Sequence, residues 1–466
     1  MSIRTWSVLG ASVLVLAGCS GSSDASGGTG SPADSTPSVA KADLAQTPAT
    51  TISADSLSAA VKANNALAVD LYAQLLAKMP SGNLLTSPIS ASLAVTMAYA
   101  GAAGNTATEM AQALHFDPSL GAAIFDGQNA LSQALMARGA TALARAQQLA
   151  QYSSQVAAPV STDYDLHVVN SVWGQKTYVW EQPFLATLAQ SYGTGVYQED
   201  FVHDFDLARV AINSWVSTET KDKINDLLPQ GSLDDTTRMV LVNAMHLKFP
   251  WANTFDSANT QSGTFTRSDA STVSASFMNQ TSQFSYLDDG QAQIIDLPLS
   301  NNEVSLLIAL PHAGVDLTRY EASLSATSAA LSAPSTSALV ALSLPKVTFT
   351  SPTFSLAEAL QSMGMKSAFD PNAADFSGLC AHTPDGSRLY VGDVLQKAMI
   401  SMAETGVEAA AATAVILSTG SAEPEPAPTP VPMVVNRPYL AALVDGPTGA
   451  ILMLGQVTDP TDAGSP

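Results

Sequence analysis

"ETGVEAAAATAVILSTG", Glu404 to Gly420, runs directly into "SAEPEPAPTPVPM", Ser421 to Met433. The first stretch carries too little bulk for a buried helix and no ordinary alternation for a half-exposed strand. Laid out as a strand, Val407, Ala409, Ala411, Thr413, Val415 and Leu417 share one face, while Glu408, Ala410, Ala412, Ala414, Ile416 and Ser418 share the other. The first face is small and apolar, and the role of the stretch has to come from what surrounds it. The second begins with a glutamate that can stay in water, and Gly406 gives the backbone freedom where the chain would turn into a sheet. No proline interrupts the stretch before Pro424. The competing reading is a low-complexity linker.

The rest of the chain bounds what such a segment could serve. The 466 residues are 46% hydrophobic, ample for a large core, and only 13% charged. A formal net charge of -21 at pH 7 repels phosphate backbones, so nucleic acid and heparin-like partners are not expected.

"MSIRTWSVLGASVLVLAGC" at the N-terminus has one basic residue, Arg4, then an apolar stretch too short to cross a bilayer, then small residues ending at Cys19. Leu16, Ala17, Gly18 and Cys19 resemble a bacterial lipobox. The resemblance implies a signal peptide over residues 1–18, lipidation at Cys19, and an exported chain held by its acyl chains at an outer membrane or cell surface. An ordinary secretory signal cleaved nearby is the other reading. With Cys19 acylated, Cys380 is the only remaining thiol and no internal disulfide can form. Residues 19–56, rich in Ser, Gly, Ala and Pro, read as a disordered tether.

Order is expected from Leu57. Leu67, Leu71, Leu75 and Met79 recur at helical spacing, and two helix-like stretches follow, joined at "GAAGNT". An Ala- and Gln-rich piece from Gly139 to Pro159 reads as an inserted helix or loop. After Asp165 come strand-like runs: "LHVVNSVWGQ", "RMVLVNAMHLKF", "AQIIDLPLS", "EVSLLIALP", "ALVALSLPKVTF", "RLYVGDVLQKAMISMAE", "RPYLAALVDG" and "AILMLGQVTD". Helical patterns persist over Arg209–Leu228 and Phe354–Met363. Helices first and antiparallel-type strands later predict an α+β fold.

Sequence motifs for catalysis are missing. There is no HExxH, no Walker A lysine motif, no zinc-spaced Cys pair and no G-x-S-x-G. His203 with Asp204 and Asp206 offers cation ligands in principle, but a solvated turn before a helix accounts for the same residues. Neither a metal, a cofactor nor an enzymatic activity is expected.

Seven segments together resemble the serpin family: "NLLTSPISASLAVTMAYAGAAGNTATEM" (Asn83–Met110), "INSWVSTETKDKINDLLP" (Ile212–Pro229), "LVNAMHLKFPW" (Leu241–Trp251), "LPK" (Leu344–Lys346), "LQSMGMKSAFDPNAADFSG" (Leu360–Gly378), "ETGVEAAAAT" (Glu404–Thr413) and "NRPYLAALVDGPTGAILMLGQVTDP" (Asn436–Pro460). The resemblance implies one domain over residues 57–461, with three β-sheets, surrounding helices and an exposed reactive loop over about residues 404–435. It also implies a monomer that inhibits proteases as a suicide substrate. A target attacks the loop, and the cleaved loop inserts into the main sheet and distorts the acyl-enzyme before it is released.

Residue by residue, the resemblance implies an inhibitory hinge at Glu404, Gly406, Val407, Glu408, Ala409, Ala410, Ala411, Ala412 and Thr413, with Val407 where the family most often has threonine. The scissile bond is expected at Gly420–Ser421, within the window Leu417, Ser418, Thr419, Gly420 and Ser421. Ser87, Ser90 and Asn213 match residues that hold the main sheet together beneath the insertion point. Gln396 stands where many animal members have histidine, and Trp251 matches the tryptophan where the hinge first enters. Because no Lys or Arg occurs between Glu404 and Asn436, the expected partners are elastase-, subtilisin- or chymotrypsin-like serine proteases rather than trypsin-like ones, with a cysteine protease also possible. The ladder "EPEPAPTPVP" is expected to form a polyproline II strut. The alternative is a non-inhibitory family member, cleaved as a plain substrate.

Overall fold

Helix α1 (Ala54–Lys78) begins where Ser53 accepts a hydrogen bond from the Ser56 backbone N–H, the N-cap arrangement that satisfies one of the first orphan donors. It is part of a computed structural model that describes residues 7–18, 38–152, 165–220, 222, 224–299, 302–384, 386, 388–404 and 429–464. Ahead of α1 lie strands β1 (Ser7–Gly18) and β2 (Ser38–Ala40). After it come β3 (Leu84–Thr86), α2 (Pro88–Tyr99), α3 (Gly104–Ala113), α4 (Ala123–Tyr152), β4 (Asp165–Gln175), α5 (Gln182–Tyr192), β5 (Val196–Glu199), α6 (Phe201–Glu219) and β6 (Thr237–Lys248). The second half holds β7 (Gln261–Thr266), β8 (Thr272–Asp288), β9 (Ala292–Leu299), β10 (Val304–Pro311), α7 (Leu317–Glu321), β11 (Ser337–Pro345), β12 (Val347–Thr350), β13 (Phe354–Ser355), α8 (Ala357–Ser362), β14 (Leu389–Met402), β15 (Val431–Val434), β16 (Tyr439–Asp445) and β17 (Ile451–Val457).

The main sheet has the order β12-β14-β1-β6-β4-β5-β2, with β13 also on β14. A second hydrogen-bonded network runs β15-β11-β8-β9-β10-β16-β17-β3, with β7 on β8. The long strand β8 joins two sheets within that network. Its Thr272–Phe277 part pairs with β7, Phe277–Ser285 pairs with β11, and Ser285–Asp288 passes to β9. The fold is thus three sheets with helices around them, as the α+β reading anticipated.

Alternation along the central strands separates two cores. Met239 and Leu241 of β6 pack with α2 in the large core between the sheets, while Val240 and Val242 pack with Phe201, Ala208, Ile212 and Val216 of α6 on the other face. The turn between α2 and α3 sits tightly on the 376–379 loop. Gly378 N–H donates to Gly101 O at 3.0 Å, and a Cβ on Gly101 would fall 2.6 Å from the Leu379 nitrogen, so only glycine fits there.

Several boundaries differ from the sequence reading. Order begins before Leu57: β2 pairs with β5, and the Thr47 carbonyl accepts from Asn129 Nδ2 and Gln133 Nε2, each at 2.8 Å, so part of the expected tether is docked by backbone and amide hydrogen bonds that composition does not reveal. Residues 19–37 lie outside the described residues. The expected leader, in turn, supplies β1. The Ala- and Gln-rich piece is no separate insert, since as far as Tyr152 it continues α4, with Ala142 buried; residues 153–159 lie outside the described residues. Helix α6 starts at Phe201 rather than near Arg209 because Asp200 caps it, accepting from His203 N–H at 3.3 Å, and it ends at Glu219, with Asp222 just beyond it in a left-handed conformation. Phe354 and Ser355 form a short strand on β14 instead of opening α8.

A buried acid links two of these elements. Tyr72 of α1 donates its hydroxyl to Glu321 Oε1 of α7 at 2.7 Å, and Glu321 Oε2 has no hydrogen-bond partner among the described residues. Burial pushes the Glu321 carboxyl up to about 7; the Tyr72 hydrogen bond opposes the rise and the Asp316 charge adds to it. In the unfolded chain the same carboxyl ionises near the ordinary value of about 4.3. The folded state therefore holds the proton over the window between the two. Stability is full below about pH 4.3 and falls as pH rises to about 7, by about 4 kcal/mol in total. Replacing Glu321 with Gln is expected to flatten this decline, measured as urea midpoints from pH 4 to 8. An unchanged slope in that variant would assign the decline to another group.

Candidate functional site

Strand β14 ends at Met402, and three side chains and one backbone N–H fix the point where the chain leaves the sheet. Trp251 Nε1 donates to the Ala403 carbonyl at 2.7 Å, and Phe255 N–H donates to the Glu404 carbonyl at 3.0 Å. The two rings meet edge to face, 5.8 Å apart at 75°. Glu404 Oε2 pairs with Lys346 Nζ at 2.7 Å, and Thr260 donates to Glu404 Oε1 at 2.9 Å. Burial works against the charged carboxylate, but these hydrogen bonds outweigh it and hold Glu404 below its usual range. The last residue before the alanine-rich stretch is thus clasped in a defined position.

The sequence reading identified Trp251 and Glu404 but gave Lys346, Thr260 and Phe255 no role. Lys346 lies within the quoted "LPK", and a lone cation next to an otherwise uncharged strand pair was the available signal.

Beyond Glu404 the chain passes outside the described residues until Thr429. The hinge residues Gly406, Val407, Glu408, Ala409, Ala410, Ala411, Ala412 and Thr413 and the scissile window Leu417, Ser418, Thr419, Gly420 and Ser421 all lie there, as does Cys19. The end of the proline ladder, expected as a polyproline strut and assigned to the loop, is a strand instead. Val431–Val434 forms β15, parallel to β11 at the end of the network, where Pro432 can sit without costing a ladder donor.

Midway along β14, the buried Gln396 pins the main sheet to its neighbour. Its Oε1 accepts from Thr86 Oγ1 at 2.6 Å and from Ser87 N–H at 3.1 Å, and its Nε2 donates to the Ser87 carbonyl at 2.9 Å. Ser87 Oγ lies 3.0 Å from Ser90 Oγ and 3.1 Å from the Leu452 carbonyl. A neutral amide satisfies both donors and acceptors here without a titrating group. Ser87, Ser90 and Gln396 are therefore one cluster.

Asn213 does not join that cluster. It sits on α6, across the sheet from α2, and clasps Leu228 with two bonds, Nδ2 to the carbonyl at 2.8 Å and Oδ1 from the N–H at 2.9 Å. It fastens the turn that leads from α6 to β6. His203 pairs with Asp200 at 3.1 Å, whereas Asp206 pairs with Arg209 at 2.7 Å, so the candidate cation ligands are engaged separately. Cys380 is buried, with Sγ 3.5 Å from the His382 carbonyl, in keeping with a small core residue rather than a nucleophile.

Between β6 and β14 lies β1, antiparallel to both. Its register places Ser12 opposite Gln396 on one side and Asn243 on the other. The main sheet thus holds a full strand at the position flanked by the Gln396 cluster below and the Trp251 collar above.

Comparison with known proteins places this geometry. The family model described as "Serpin (serine protease inhibitor)" matches residues 62–460. Serpin B13 of Homo sapiens is 30% identical over 405 residues, 84% of this chain and 97% of that protein. The leukocyte elastase inhibitor of Homo sapiens is 28% identical, covering 85% of this chain and 98% of that one. Among solved structures, maspin superimposes with a TM-score of 0.72 at 24% identity, over 87% of this chain and 100% of that one, a likeness of fold.

Proposed function

Because the chain belongs to the serpin family, we propose that it is a suicide-substrate inhibitor of serine proteases, held at a membrane surface through a lipidated Cys19. The observation that carries this reading is the collar at the end of β14. Trp251, Phe255, Lys346 and Thr260 fix Ala403 and Glu404 where a chain must turn back to enter the sheet, and the residues that follow are mostly small and are free of proline as far as Glu423.

In this reading a protease serine Oγ attacks a carbonyl carbon in the Leu417–Ser421 window, and the peptide bond breaks as the amine leaves with a proton. The ester so formed is trapped when the freed hinge inserts as a strand. Val415, Leu417 and their small neighbours suit elastase-like and subtilisin-like pockets first, chymotrypsin-like ones next, and give a trypsin-like pocket no cation to bind.

The test is incubation of the chain lacking residues 1–19 with elastase, subtilisin, chymotrypsin and trypsin, followed by denaturing gels and mass spectrometry of the released peptide. A covalent band with one of the first three is expected, and the peptide mass fixes the bond. Loop cleavage without any covalent band would favour the non-inhibitory alternative. That alternative has one observation on its side: the position between β6 and β14 is already filled in this structure.

A further inference from the structure

Strand β1 stands where the hinge would have to go. It pairs continuously with β14 from Ser7↔Ser401 to Gly18↔Leu389, and with β6 from Val8↔Leu247 to Ala17↔Thr237, with one register shift near its end on each side. Strands β6 and β14 are separated by it and do not pair with each other. Its direction is also that of a returning hinge. Ser7 lies beside Ser401, at the end where the chain leaves β14, and β1 then runs back down that strand to Leu389. A segment turning back after Glu404 would take the same course, and its stretch Val407–Ser418 has the same length as β1. Like that stretch, "SVLGASVLVLAG" contains no proline, and it contains no charge. Two segments cannot share one pair of strand edges, since each edge N–H and C=O bonds once in the ladder.

The boundary of the strand coincides with a chemical boundary. β1 ends at Gly18, the residue before Cys19, so hydrolysis of the Gly18–Cys19 peptide bond by a processing peptidase, with water as co-reactant, would detach all of β1 and none of the rest of the described fold.

We propose that Ser7–Gly18 is an intramolecular plug: in the unprocessed chain it occupies the strand position between β6 and β14 that loop insertion requires, and its removal at Gly18–Cys19 opens that position. The consequence for inhibition rests on the function proposed above. The unprocessed chain is then a stable substrate for proteases, and the processed chain is the metastable inhibitor.

The test uses the full chain bearing Cys19→Ala, which blocks processing, beside the same chain with Leu14→Pro added. Proline removes a ladder donor in mid-strand and is excluded from strands paired on both sides. Two readouts are taken on each form: amide hydrogen exchange over residues 8–16, and covalent complex formation with elastase. A chain beginning at Ser20, which lacks β1 and the lipidation cysteine, stands in for the processed form as a third sample.

For the Cys19→Ala chain the expected result is slow exchange over residues 8–16 and cleavage without a covalent band. For the Leu14→Pro form the expectation is fast exchange, a lower thermal midpoint and a covalent band like that of the processed form. Fast exchange over residues 8–16 in the Cys19→Ala chain would overturn the proposal, as would equal covalent complex formation by all three. If exchange follows the expected pattern and no form yields a covalent band, the plug assignment holds and the inhibitory reading fails.

Discussion

In the form lacking residues 1–18, Val407→Arg is expected to abolish the covalent complex with elastase while leaving loop cleavage intact. On the proposed mechanism Val407 opens the face of the hinge that would pass over the core between β6 and β14, a core to which α2 contributes the buried Ile89, Leu93 and Val95. Insertion would carry an unpaired guanidinium into that environment, at a cost of several kcal/mol. Each 1.4 kcal/mol against insertion shifts the competition with deacylation about tenfold, so a loss of complex by two orders of magnitude or more follows. In the proposed function recognition and acylation would use residues near Leu417–Ser421 and should proceed at the original rate. Glu408→Arg is the control, because the opposite face stays in water and tolerates a charge of either sign. Complex formation unchanged in Val407→Arg, measured on denaturing gels against time, would sink insertion as the mechanism. Equal damage from both substitutions would show that charge near the hinge, rather than burial of one face, is what matters.

How much of this was readable in advance depends on what each segment's chemistry exposes. The central strands β9, β10, β16 and β17 announce themselves because they are buried and almost uninterrupted in apolar residues. The β7–β8 hairpin was missed. Its exposed face is built from Ser, Thr, Gln and Asn, which lowers the average hydrophobicity to that of a loop, although Phe265, Phe277 and Phe284 mark the buried side. The site divides in the same way. Ser87, Ser90 and Gln396 could be grouped by family resemblance, and they do meet. Asn213 was grouped with them, yet its helix packs on the opposite face of β6, and sequence spacing carries no information about which face of a sheet a helix covers. The collar partners Lys346, Thr260 and Phe255 are far from Glu404 in sequence, and only folding brings them to it. The strand position of Ser7–Gly18 was hidden for another reason. A short apolar run with small residues fits a leader and a fully buried strand equally well, because both are selected for freedom from charge.

The residue of α4 just ahead of the piece that the sequence suggested was an insert leads to the second large effect. Arg138 Nε and a terminal guanidinium nitrogen form a two-pronged pair with Asp445 at 2.6 and 2.9 Å, and its other terminal nitrogen lies 3.7 Å from Glu303 Oε2. Asp445 is fully buried at the end of β16, and Glu303 is 1% exposed next to β10. Arg138→Met is expected to destabilise the fold by about 3–5 kcal/mol, since it strands a buried carboxylate rather than removing a pair. The loss should fall mainly on Asp445, because Glu303 keeps Arg145 at 3.1 Å while Asp445 retains only the Thr448 hydroxyl and N–H. It follows that Arg138→Met combined with Asp445→Asn, which keeps an acceptor for Thr448 but removes the stranded charge, should recover most of the loss. Urea midpoints of the two single variants and the double variant decide the matter. If Arg138→Met alone costs less than about 1 kcal/mol, Asp445 gains water or a proton in the variant and is not left as a stranded charge. The covalent continuity of α4 with the main core, not this ion pair, would then be what holds the helix against β10 and β16.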